Sequence, residues 1–158
     1  IWEKEILSEE NTDETAYSIS KDNTGGYFVT LGGNTNSNKE KFNPSILKID
    51  SFGNIEWSRS YKSNSREYHQ FKSTTTIDGD LIIVGSTIVE SSLGYVTNAF
   101  LSKFNKNGEI IWTRPYGTPD GDDWGWAVIE KPNQSLILIG STKSYNASLF
   151  DVYLVGIN

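Results

Sequence analysis

The sequence predicts an all-β protein built from three copies of one unit of about 55 residues. Three observations carry this. Tryptophans recur at Trp2, Trp57 and Trp112, each 55 residues from the last. The segments KIDSFGNIEW (48–57) and KFNKNGEIIW (103–112) align without a gap. Short apolar runs that close on glycine recur in mid-unit, ending LGGNT, VGST and IGST at Thr35, Thr87 and Thr142. A fixed period of this size is the mark of a repeat architecture.

Each landmark reads as a strand or a turn. Ile55, Trp57, Arg59 and Tyr61 alternate with Glu56, Ser58 and Ser60, which places the first set on one strand face. A basic residue follows each tryptophan by two positions (Lys4, Arg59, Arg114), and Ile6, Tyr61 and Tyr116 follow two later. The basic side chains are expected to lie against the aromatic rings. Tyr17 to Ser20, Phe71 to Thr75 and Trp126 to Ile129 are further strands. Leu81 to Val84 and Leu136 to Ile139 are unbroken apolar runs, which predicts strands buried on both faces. The late segments NPSILKID, NAFLSKFN and DVYLVGIN begin at Asn43, Asn98 and Asp151 and complete a set of four per unit. Asp50 to Asn54 and Asn105 to Glu109 are hairpin turns, with glycine supplying positive φ and Asp or Asn bonding the local backbone. Asp22 to Gly26 and Asp78-Gly79-Asp80 are turns too. The polar stretches Asn34 to Asn43 and Ile88 to Asn98 are expected as mobile loops.

Four strands per unit, with inner strands covered on both sides, predict stacked small sheets of the β-propeller type. The units run approximately 1–56, 57–111 and 112–158 of a single repeat domain. The combined pattern D/N-x-x-L-x-K-x-D/N-x-x-G-x-I-x-W, with D-D-x-x-x-x-V and G-G-Y-hydrophobic-x-x-G-x-T, resembles the propeller repeats of bacterial secreted and surface proteins. These are relatives of the PQQ-like, tryptophan-docked blades. The resemblance spans the chain in three copies and implies an extracellular or cell-surface location. It departs from the pattern at Asn43-Pro44, where the third unit has Asp151, and at Asn158, where the third unit stops before its Gly-Trp turn. No pocket motif for a quinone cofactor accompanies it.

Composition narrows the function. The chain has 158 residues, 14 Lys+Arg against 20 Asp+Glu and a formal net charge of −6. One domain is the expectation at this length. Acidic balance disfavours nucleic acid, whose phosphates call for clustered cations. No apolar run reaches the roughly 20 residues of a membrane-spanning helix. Absence of cysteine removes disulfides and thiolate chemistry. The absence of methionine is read as a processed or excised chain.

The unit boundaries also suggest an assembly. The chain opens on I-W, the second arm of an outer hairpin, and closes on Gly156-Ile157-Asn158, the first arm. The last outer hairpin is thus split between the termini, and an unpaired arm leaves bare backbone groups. Self-association through Trp2, Leu154 and Ile157 is the expected use. Two chains forming a six-bladed ring, a segment of a longer propeller, an open filament or larger ring, and a compact three-fold monomer are the alternatives.

Trp2, Trp57 and Trp112 are read as blade-docking residues. Tyr116, Trp124 and Trp126 make the third unit the most aromatic and are candidates for stacking on a glycan. Trp126 matches Tyr17, which favours blade packing there; Trp124 matches Thr15. Asp120, Asp122 and Asp123 form the densest acidic cluster, a candidate for Ca²⁺ or for accepting backbone N–H bonds. The related positions are Asp13-Glu14 and Arg66-Glu67. His69, the one histidine, has no evident catalytic companion. Asn133 and Asn146 sit in glycosylation acceptor patterns. No spaced nucleophile, base and metal set appears, so the reading is non-catalytic: a structural or binding module that self-associates. A carbohydrate-binding, adhesin-like module is the alternative.

Overall fold

A computed structural model describes residues 3–6, 12–35, 38–61, 68–92 and 94–158. Among them the chain is all-β, without helix, in three antiparallel sheets. The first sheet holds β1 (Thr12–Lys21), β2 (Tyr27–Thr35), β3 (Asn38–Ile49) and β4 (Ile55–Ser60), in that spatial order. The second holds β5 (Tyr68–Thr75), β6 (Leu81–Ser91), β7 (Gly94–Phe104) and β8 (Ile110–Tyr116). The third holds β9 (Asp123–Glu130), β10 (Leu136–Thr142) and β11 (Asp151–Ile157).

The turns repeat with the units. Between the first two strands of each sheet a five-residue loop closes on one backbone bond: Asp22 N–H to Gly26 O, Thr76 N–H to Asp80 O and Lys131 N–H to Ser135 O. The fourth residue of each loop is left-handed. Gly25 and Gly79 take that conformation without strain, while Gln134 adopts it at φ 65°. The outer turns close on Asp50 and Asn105. Each side-chain oxygen accepts two backbone N–H groups, from Phe52 and Asn54 in one case and from Asn107 and Glu109 in the other.

Two expected loops are strands instead. β6 and β7 pair without a break from Leu81↔Phe104 to Ser91↔Gly94, so residues 88–98 extend a hairpin. β2 and β3 also pair as far as Thr35↔Asn38, with a register shift after Asn34↔Phe42. Polar residues in these segments pair along the ladder and need no apolar cover. Strand register also aligns Gly33, opposite Asn43, with Thr87, opposite Asn98. The mid-unit landmark of the first unit therefore lies two residues earlier than Thr35.

The sheets stack in chain order, with β1 beside β5 and β5 beside β9. Each sheet has a forward side, toward the next sheet, and a backward side. Phe28 and Ile46 of the first sheet meet Leu81, Ile83, Phe100 and Phe104 of the second. Ile82, Val84, Ala99 and Leu101 of the second meet Val128, Leu136, Leu138 and Ile157 of the third. Alternation along each strand separates the two sets. At the inner end, Ser18 and Ser86 hydroxyls accept N–H bonds from Ser73 and Gly125 of the following sheet.

At the outer end Trp57 of β4 lies against the Gly108 turn of the second sheet. A Cβ on Gly108 would meet the Trp57 ring at 2.7 Å. Tyr61 donates its hydroxyl proton to the Gly108 carbonyl at 2.5 Å. Burial pushes the Tyr61 phenol up to about 12.

Below this contact, Lys48 is buried in an ion pair with Asp22 and lies 3.0 Å from Glu56. The Asp22 carboxylate also accepts N–H bonds from Thr24 and Gly26. Burial alone would raise the Asp22 carboxyl; the Lys48 ammonium and the Thr24 and Gly26 donors outweigh it and bring it down to about 2. A folded-state value below the unfolded one stabilises the fold at high pH and loses that contribution on acidification. The term is worth about 2 kcal/mol, complete above about pH 5 and lost as pH falls from about 4 toward 2. Asp22→Asn should lower stability at pH 7 by about 2–4 kcal/mol, because Lys48 keeps its burial and loses its main partner. It should also flatten the acid limb of a urea-melt series from pH 5 to pH 2.

Candidate functional site

The third sheet is where the repeat is incomplete. The first two sheets end in a fourth strand, β4 or β8, paired to β3 or β7. Among the described residues β11 has β10 on one edge and no strand on the other. Its forward side has no sheet against it either. Positions that are fully buried in the second sheet are bare here. Leu101 corresponds to Leu154, 67% exposed, and Ala99 to Val152, 79% exposed. Val84 corresponds to Ile139, 44% exposed. The expectation that Leu136 to Ile139 is buried on both faces therefore fails on one side. Leu136 and Leu138 pack on the second sheet, whereas Ile139 lies on the other side and is 44% exposed.

Cross-strand partners share a sheet side, so Ile129 opposite Ile137, and Ala127 opposite Ile139, belong to the same open surface. Trp126 adds to it. Its ring is 42% exposed, and its indole N–H donates to the Ser141 hydroxyl at 2.9 Å. Trp124 stacks on Trp126 at 6.1 Å with planes 16° apart. The connection from β10 to β11 widens the patch. Tyr145 and Asn146 are both left-handed there, and Tyr145, Leu149 and Phe150 are exposed. Lys143 Nζ sits 4.4 Å over the Phe150 ring. An apolar surface of this extent is a docking site or a liability.

The other terminus carries a matching feature. Lys4 Nζ donates to Asn54 Oδ1 at 2.7 Å, in the outer turn of the first sheet. One unit later, the Arg59 side chain lies against the Gly108 turn. Lys4 thus stands to the first sheet as Arg59 stands to the second. Residues 3–6 lie beside the outer turn of the first sheet. Trp2 lies outside the described residues.

The remaining candidates have structural surroundings. Trp112 packs against the cluster between the second and third sheets, with Arg114 5.2 Å over its ring. Tyr116 packs on that same cluster, apart from the Trp124–Trp126 stack. Asp123 is fully buried; its Oδ2 accepts N–H from Thr118 at 3.0 Å and the Ser144 hydroxyl at 2.7 Å. Asp122 accepts the Thr97 N–H at 2.9 Å, which ties the β9 entry to β7. Asp120 is exposed. Among the described residues no three acidic or histidine side chains converge. The His69 backbone pairs with Ser86, and its side chain lies outside the described residues, as do Arg66 and Glu67. Asn133 accepts the Ser135 hydroxyl in its turn. Sequence reasoning singled out Leu154 and Ile157 but not Val152, Ile137, Ile139 or Ile129. Val152, Ile137 and Ile139 align with Ala99, Ile82 and Val84, which the third sheet covers, and Ile129 aligns with the half-buried Thr74.

Two glycines test the contrast between the covered and the open side. A Cβ on Gly125 would meet the Gly85 carbonyl and a Val84 methyl at 2.8 Å each. A Cβ on Gly156 would meet nothing within 4 Å. Gly125→Ala should cost about 1–3 kcal/mol through overpacking, and Gly156→Ala should change stability by less than about 0.5 kcal/mol, both read by chemical denaturation.

The chain matches no protein-family model and no curated protein, so its function is argued from this geometry.

Proposed function

We propose that the protein is a non-catalytic structural or binding module of the propeller-blade type that self-associates by completing its third sheet. The carrying observation is the bare outer edge of β11, in a sheet of three strands beside two sheets of four. The strand offered to it is the 1–6 segment of a second copy. By the register of β7 with β8, where Lys103 faces Trp112 and Leu101 faces Arg114, Trp2 would pair with Gly156 and Lys4 with Leu154. Ile157, at the end of β11, would border the same seam. Two or three added backbone bonds at about 1 kcal/mol each, with a buried indole worth about 2–3 kcal/mol, sum to about 4–6 kcal/mol, a weak association unless the adjoining apolar side chains are covered as well. Neighbouring blades of a longer chain would meet the same edge in the same way. A place outside the cell or at its surface rests on the repeat pattern alone.

The stacked Trp124 and Trp126 rings favour a second reading, a glycan platform. The more exposed Trp126 is then the residue to test. A glycan array with hits lost in Trp126→Ala would support it, and an array without hits would remove it.

Light scattering after size exclusion tests the main reading. The full chain should run as a multiple of its 17.7 kDa mass, and a variant without residues 1–6 should run as a monomer. A full chain that stays monomeric at hundreds of micromolar, or a truncated chain that keeps its assembly, contradicts it.

A further inference from the structure

The connection from β8 to β9 leads into a carboxylate that the fold leaves half used. Asp123, at the start of β9, is fully buried. Its Oδ2 accepts the Thr118 N–H at 3.0 Å and the Ser144 hydroxyl at 2.7 Å. Among the described residues no donor reaches the buried Oδ1, and no Lys or Arg forms an ion pair with the group. We propose that Asp123 is the charged ligand of a Ca²⁺ site that joins the second sheet to the third.

A buried carboxylate with one bare oxygen is costly unless a cation or a donor meets it. The repeat does not demand that cost. By strand register Asp123 corresponds to Tyr68 of the second sheet and to the exposed Glu14 of the first. The space beside it is kept open by a glycine. Gly117 holds φ at 137°, and a Cβ there would run into Asp123 Oδ2 and lie 2.8 Å from Asn98 Oδ1. Gly117 is itself exposed, which gives an ion a way in.

The neutral oxygens needed are at the same place. With its oxygen toward the Thr97 and Thr118 carbonyls, the Asn98 amide makes a set of three oxygens that calls for a cation between them. Turned over, it donates to those carbonyls at 3.3 and 3.2 Å, which suits the ion-free state. Ca²⁺ accepts such mixed sets of carboxylate, amide and backbone oxygens, with water completing the shell, whereas Mg²⁺ demands a stricter octahedron. Asp120 and Asp122 lie in the same segment and add negative charge that draws a cation toward it. A site with one buried carboxylate belongs to the weak class, with a Kd of about 1 mM. The ion would fasten β7 through Asn98, the β8–β9 connection through Thr118, and, through Asp123, the β10–β11 connection, where the Ser144 hydroxyl also accepts that of Thr118 at 2.8 Å.

Thermal melts in CaCl₂ against NaCl of equal ionic strength test this. At 10 mM CaCl₂ the parent chain should melt about 3–5 °C higher, and Asp123→Asn should melt at the same temperature in both salts. Asp120→Asn, an exposed position of the same segment, should keep the shift. If Asp120→Asn loses the shift while Asp123→Asn keeps it, calcium only screens the acidic surface and the buried site falls. Should Asp123→Asn not fold, Tb³⁺ provides a readout on the parent chain. Tyr116, beside Gly117, should sensitise its emission, and CaCl₂ should displace it with a midpoint of about 1 mM. A parent chain whose melt ignores CaCl₂, or Tb³⁺ emission that CaCl₂ does not displace, overturns the proposal.

Discussion

Face-to-face burial between successive sheets is the constraint on which the rest of the structure depends. A sheet of three or four short strands cannot hold itself together in water and needs an apolar side covered. Here each sheet supplies a forward side to one neighbour and a backward side to the other. The second sheet has both, and β6 is accordingly buried along seven consecutive residues, Leu81 to Thr87. Each covered Leu, Ile, Val or Phe contributes about 1.5–3 kcal/mol. The polar features follow from this stacking. Ser18 and Ser86 accept backbone donors where the innermost strands converge, and Lys48 brings its charge into the seam only because Asp22 and Glu56 go with it.

A stack of this kind has ends. In repeat proteins, stability is close to a sum over units and nearest-neighbour contacts, and the terminal units need caps. Among the described residues the third sheet exposes Val152, Leu154, Ile139 and Trp126, and β11 has one strand edge without a strand beside it. Self-association through them uses no contact type that the chain does not already make twice within itself.

Much of the fold was legible in the sequence because the period of 55 residues acts as an internal alignment. It marks the turns at Asp50 and Asn105, the apolar run at Leu81 and the strand through Trp57. The long β6–β7 hairpin was not legible, because Ser91, Thr97 and Asn98 look like loop residues until they are paired in the ladder. The exposure of Ile139 was not legible either. A continuous apolar run reports what a strand could bury on both sides, and a missing neighbour leaves no mark in the run itself. The acidic cluster at Asp122 and Asp123 was visible as a cluster, whereas its partners, the Thr97 and Thr118 amides and the Ser144 hydroxyl, come from distant positions in the chain.

Hydrogen exchange along β11 as a function of protein concentration tests the central claim most directly. Among the described residues no strand pairs with its outer edge, and the amides there gain partners when a strand is added. The account predicts that their protection rises with concentration toward that of β7, while the β10-facing amides stay unchanged. Outer-edge amides that exchange within seconds at every concentration would contradict it.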